Sequence, residues 1–99
     1  MMVEALGAFI MDTSSHFIIY TLETCPNCEI LKEHLDAEGA AYRTRDMMSA
    51  EALTELRING VFVREAPVLQ KEGTFLTSAD LFSGGVLNRN LISSLIKGD

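Results

Sequence analysis

One junction limits the possible folds more than any other. An unbroken apolar run, His16-Phe17-Ile18-Ile19-Tyr20-Thr21, is followed three residues later by Cys25-Pro26-Asn27-Cys28 at the head of a helical stripe. β-Branched and aromatic residues suit a pleated strand, and a run without polar alternation suits a central strand covered on both faces. Over Cys25 to Glu38 the apolar positions Cys28, Ile30, Leu31 and Leu35 recur at helical spacing. Pro26 just inside the start and Gly39 just past the end match the usual punctuation of a helix. A buried strand feeding directly into a helix implies a βα unit and an α/β fold.

The remaining pattern extends that unit. Ala40 to Arg45 reads as a second strand, Ser49 as the N-cap of a helix from Ala50 to Arg57, and Asn59-Gly60 as its end. Pro67 to Gln70 and Thr74 to Leu76 are two short strands around a Lys71-Glu72-Gly73 turn. After Gly84-Gly85, Asn88 can cap a last helix with Leu91, Ile92, Leu95 and Ile96 facing inward. The expected order is β-α-β-α-β-β-α: one four-stranded mixed sheet with helices on both faces.

This domain occupies residues 16–99, and residues 1–15 are read as a flexible extension outside the functional fold, with Met11 as an alternative natural start. Met1 to Met11 has no basic leader region and is too short to span a membrane. The cytoplasm is therefore the default location, where reduced cysteines are normal.

Two cysteines three positions apart close too small a loop to restrain much unfolded-chain entropy, so a structural role is weak. Redox chemistry needs an attacking thiolate and a nearby thiol that releases the mixed disulfide. A helix start favours the thiolate, through the helix dipole and unpaired backbone N–H groups. Cys25 is accordingly the expected nucleophile, and Cys28, one turn deeper, the resolving thiol. Pro26 has no N–H to leave unpaired at the first helical position and holds the turn in helical geometry.

A closed zinc site needs four ligands, and the chain offers only these thiols with His16 and His34, so no resident metal is expected. No tightly bound cofactor is expected either. A net charge of −6, with eight Lys and Arg and no basic run, argues against nucleic acid. Nothing in the sequence demands more than a monomer.

Taken together, residues Phe17 to Ile96 resemble a glutaredoxin, within the thioredoxin-like superfold. The resemblance is carried by Tyr20-Thr21 before a Cys-Pro-x-Cys turn, Lys32 four residues after the second cysteine, Ala66-Pro67, and Gly84-Gly85 before the last helix. It implies a dithiol oxidoreductase that reduces protein disulfides or glutathione-mixed disulfides. It also implies a cis Pro67 facing the redox turn, with Ala66 presenting its backbone to an extended substrate. Pro26 and Asn27 would border the substrate, and Gly84-Gly85 matches the turn that receives a glutathione carboxylate.

The departures from that pattern concern glutathione. Leu22-Glu23 stands where a lysine is usual, Asn27 where an aromatic is usual, and Glu65-Ala66 where Thr or Ser with Val is usual. Val86-Leu87-Asn88 replaces the aspartate that often follows the glycine pair. Glu23 should weaken recruitment of a ligand with two carboxylates by about 1 kcal/mol or less. Glutathione stays a possible co-substrate, with Arg64 or Lys32 as compensating charges. The tilt is toward redoxins that draw electrons from a flavoprotein disulfide reductase, such as those serving ribonucleotide reductase.

Two other readings use the same residues: a non-catalytic peptide-binding module built on the Ala66-Pro67 groove, and a metal or iron–sulfur carrier ligated by the cysteines. Lys32, two helical turns from Cys25, is a candidate for electrostatic tuning through space. His34 is expected to be solvated, and Met47-Met48, Phe62, Phe75 and Phe82 to fill core or rim.

Overall fold

The computed structural model describes residues 17–97, so His16 and the expected extension over residues 1–15 lie outside the described residues. Four strands form the main sheet: β1 (Phe17–Thr21), β2 (Tyr42–Asp46), β3 (Val68–Lys71) and β4 (Thr74–Leu76). Their spatial order is β2-β1-β3-β4. β1 runs parallel to β2 and antiparallel to β3, which pairs antiparallel with β4. The mixed sheet expected from the sequence is therefore present.

The parallel pair is joined by helix α1 (Pro26–Ala37), and β2 leads into helix α2 (Ala50–Ile58). Ser49 caps α2 as its position suggested, accepting the Ala52 N–H on Oγ at 3.1 Å. Beyond α1, Gly39 adopts φ +73°, the left-handed conformation of a helix stop.

The period of two along β1 divides the interior. Phe17 and Ile19 join Leu31, Leu35, Leu69, Leu81, Leu87 and Ile92 on one face of the sheet. Tyr20 joins Met47, Ala52, Leu56 and Val68 on the other, with Ile18 packed at its edge. β1 is thus covered on both sides, as its unbroken apolar run required. β2 is an edge strand with Arg43, Thr44, Arg45 and Asp46 exposed. Charged side chains on an edge discourage pairing with other chains.

The C-terminal third carries more structure than the sequence reading placed there. A short helix α3 (Ser78–Leu81) and a ribbon of β5 (Phe82–Ser83) and β6 (Val86–Leu87) precede the last helix, α4 (Arg89–Lys97). Asp80 Oδ2 accepts the Thr77 N–H at 2.9 Å, fixing the entry to α3. Gly84 and Gly85 have φ of +58° and +81°, the conformation that a two-residue turn between paired strands requires. Asn88 Oδ1 accepts the Leu91 N–H at 3.3 Å, so the expected cap of α4 is in place. Lys71 Nζ donates to the Leu95 carbonyl and lies over the Phe17 ring, tying α4 to the sheet.

Two side-chain expectations are corrected. His34 is not solvated: it is buried in α1, where Arg89 Nη1 donates to its Nδ1 at 3.1 Å. The ring proton then sits on Nε2, which is buried without a partner among the described residues. Of the presumed core or rim residues, Met47 is buried, whereas Met48 and Phe62 are strongly exposed.

Candidate active site

The site forms where the chain leaves β1 and enters α1. Thr24 has φ +52°, a left-handed conformation that a β-branched residue adopts at a cost. That bend delivers Cys25 to the N-cap of α1 in extended geometry, φ −124° and ψ 95°. Pro26 opens the helix, and the Cys25 carbonyl accepts the Glu29 N–H at 3.2 Å. Cys25 Sγ accepts the Cys28 N–H at 3.1 Å, so the sulfur occupies the place of a capping oxygen. A donor aimed at that sulfur, together with the positive end of the helix, favours its anionic form.

Cys25 and Cys28 are joined by a disulfide, with their Cα atoms 5.2 Å apart. The two sulfurs differ in access: Cys28 is buried at 1 % exposure, whereas Cys25 is half-buried and lines a cleft. This asymmetry is what a nucleophile and a resolving thiol need.

An open cleft of 410 Å³ surrounds Cys25. One wall is the loop from Leu22 through Asn27, and the other comprises Arg64, Glu65, Ala66 and Ser78. The Ala66–Pro67 peptide bond is cis. Pro67 itself is buried, and Ala66 is the member of the pair that meets the cleft. Pro26, Asn27 and Ala66 are therefore brought together with Cys25.

Gly84 and Gly85 lie in the β5–β6 turn and are not among the residues lining the cleft. Lys32 is also outside it; its Nζ is 2.9 Å from Glu29 Oε2, a pairing that offsets its field at Cys25. The charges facing the cleft are Glu23 and Glu65 against Arg64. Among the described residues, no three His, Cys, Asp or Glu side chains gather into a metal-ligating group.

Sequence reasoning named both cysteines and the Ala66-Pro67 step, but it did not place Ser78 at the site or foresee the conformation of Thr24. Ser78 reaches the cleft through α3, whose Thr77-x-x-Asp80 signature was legible but too short to register beside longer periodic segments. Thr24 carries no glycine or asparagine signal for a positive φ.

The described architecture matches a solved structure at TM-score 0.60 and 21 % identity, over 81 % of this chain and 93 % of the other. That structure is the NrdH-redoxin of Escherichia coli, described as a glutaredoxin-like protein with a thioredoxin-like activity profile. The chain has a thioredoxin-like fold. No protein-family model and no curated protein matches the sequence. No helix among the described residues is long and apolar enough to cross a membrane.

Proposed function

We propose that this redoxin-fold protein is a dithiol–disulfide oxidoreductase that reduces protein disulfides and is recharged by a flavoprotein disulfide reductase in preference to glutathione. The observation that carries this reading is the paired sulfurs at the head of α1, one buried and one opening into a cleft.

In the reduced protein, the Cys25 thiolate attacks one sulfur of the substrate disulfide. The second substrate sulfur leaves as a thiolate and takes up a proton. Cys28, deprotonated, then attacks the Cys25 sulfur of the mixed disulfide and expels the remaining substrate thiol. The substrate has gained two electrons and two protons. Both electrons come from the protein as Cys25–Cys28 forms; one proton comes from Cys28, and the other from solvent, which had taken it up when Cys25 ionised. A reduced flavoprotein returns two electrons by opening that disulfide. Ala66, beside the cysteine turn, offers backbone groups along which an extended substrate can lie.

The preference for donor follows from charge. Glutathione carries two carboxylates, and the cleft presents Glu23 and Glu65 with Arg64 as the lone cation among its lining residues. Gly84-Gly85, matched by resemblance to the turn that receives a glutathione carboxylate, and Lys32, a candidate compensating charge, stand outside that lining. The described activity profile of the NrdH-redoxin points the same way. Activity as a monomer in the reducing cytoplasm fits this reading.

The test is to follow reduction of the Cys25–Cys28 disulfide by glutathione with glutathione reductase and, separately, by thioredoxin reductase. Turnover with the flavoprotein donor alone is expected, with Cys25→Ser inert. Faster turnover with glutathione would overturn the donor assignment. Failure with both donors would overturn the oxidoreductase reading itself.

A further inference from the structure

A second depression, of 540 Å³, runs beside α2 on the face of the sheet that holds Tyr20 and Val68. Met47 and Leu56 are buried beneath it, and Met48 and Phe62 stand on its rim at 66 % and 76 % exposure. An exposed phenylalanine beside an exposed methionine is not explained by core packing, because neither is covered by this chain's described residues. Contiguous apolar surface of this kind marks an interaction site.

Two further observations say what covers it. The charged residues lining the groove are Arg57 and Arg64, with no carboxylate among them. Yet the chain carries fourteen Asp and Glu against eight Lys and Arg. The groove is thus a positively charged apolar strip on an acidic protein. It also adjoins the redox cleft, because Arg64 lines both. A polypeptide threading past Cys25 and Ala66 would meet Arg64 next and then the apolar strip. A tripeptide thiol is too short to fill both.

We propose that this groove docks the disulfide-bearing polypeptide, accepting an acidic stretch with a bulky apolar anchor a few residues from the scissile cystine. The proposal builds on the oxidoreductase reading and assigns that site its substrate class. The anchor seats between Met48 and Phe62, and the flanking carboxylates face Arg57 and Arg64. Selectivity then arises beside the cysteines, while the chemistry stays at Cys25.

The test uses the full chain and three disulfides. These are bis(2-hydroxyethyl) disulfide, a synthetic peptide disulfide flanked by Leu, Phe and Asp residues, and the same peptide with Lys in place of Asp. The wild-type protein should reduce the acidic peptide with a kcat/KM roughly tenfold or more above the lysine peptide, the difference narrowing with added salt. Met48→Ser with Phe62→Ser should lower kcat/KM for the acidic peptide roughly tenfold, chiefly through KM, and leave the small disulfide unchanged. Arg57→Glu, which leaves Arg64 opposite a new carboxylate, should abolish the charge preference.

Equal reduction of both peptides, or no effect of these variants, would overturn the groove while activity on the small disulfide upheld the oxidoreductase reading. Loss of activity on all three disulfides in the wild-type protein would overturn both. If the Met48→Ser, Phe62→Ser variant instead converts a sedimenting dimer to monomer, the groove is a self-association surface and the substrate assignment fails.

Discussion

The two faces of the sheet are built to different standards. On one, α1, α3 and α4 converge on Phe17, Ile19 and Leu69, and Leu31, Leu35, Leu81 and Ile92 are at or near zero exposure. On the other, α2 lies alone over Tyr20, Val68 and Met47, and the apolar surface continues outward to Met48 and Phe62. The first face holds the redox helix in place, because Leu31 and Leu35 stand on the same helix side as Cys28. The second remains open at the edge adjoining the redox cleft. Sealing one face and leaving the other partly unfilled separates the requirement for a rigid cysteine turn from the requirement for a receptive surface.

The largest expected effect contrasts leucines on the two faces. Leu35→Ala opens a cavity walled by several helices that cannot collapse, and should cost about 3–5 kcal/mol in chemical denaturation. Leu56→Ala lies beneath a groove where neighbours and water can move in, and should cost about 2–3 kcal/mol, the low end of the same range. Equal costs would mean that the second face is as tightly closed as the first. Phe62→Ser, removing an exposed ring, should stay within about 0.5 kcal/mol of wild type.

What could be read from the sequence tracks the same division. The sealed face announces itself through periodicity: Phe17 to Thr21 and the Cys28, Leu31, Leu35 stripe lie where their spacing put them, and Cys25 and Cys28 fall at the helix head. The Ala66-Pro67 step was legible through the family resemblance, which implies the cis bond found there. Phe62 was not, since an exposed aromatic in a short connection has the same composition as a core one. His34 misled for a related reason. Its exposure depends on Arg89, which is distant in sequence and reaches it only after α4 has docked. Gly84-Gly85 was legible as a turn, and its two consecutive positive φ values make it the turn of a ribbon that the sequence pattern does not announce.

A smaller effect probes the polar tie within the thinner face. Tyr20 is fully buried, and its hydroxyl donates to Gln70 Oε1 at 2.6 Å. Desolvation pushes its pKa above the ordinary 10.0, with Arg45 pulling it down and Glu55 pushing it up. The neutral phenol is therefore the form that the fold accommodates. Its contribution is complete below the unfolded pKa near 10.0 and is lost as pH rises toward and through the folded value. Stability should fall on the alkaline side of about pH 10, and Tyr20→Phe should flatten that limb while costing about 1–2 kcal/mol at neutral pH. An unchanged alkaline limb in Tyr20→Phe would assign the loss to other groups. Tyr42, also raised by desolvation and by Asp36, is the first to examine.

The smallest effect lies at the point where β1 ends and the chain turns toward the cysteines. Thr24 holds φ +52° with a branched side chain, a conformation costing of order 1–3 kcal/mol that glycine adopts without penalty. Glycine also gives the unfolded chain more freedom, which offsets roughly 0.5–1 kcal/mol of that gain. Thr24→Gly should therefore stabilise the protein by about 1 kcal/mol, and Thr24→Asn by less, because asparagine tolerates the left-handed region only in part. Thr24→Ala removes the branch but keeps Cβ, so it separates side-chain crowding from backbone conformation. A destabilised Thr24→Gly protein would mean that Thr24 makes a compensating contribution. A stabilised one would show that the chain accepts backbone strain in the residue beside Cys25 to set the sulfur at the helix head. That strain would then belong with the tightly built face rather than the open one, since its product is the fixed position of the cysteine turn.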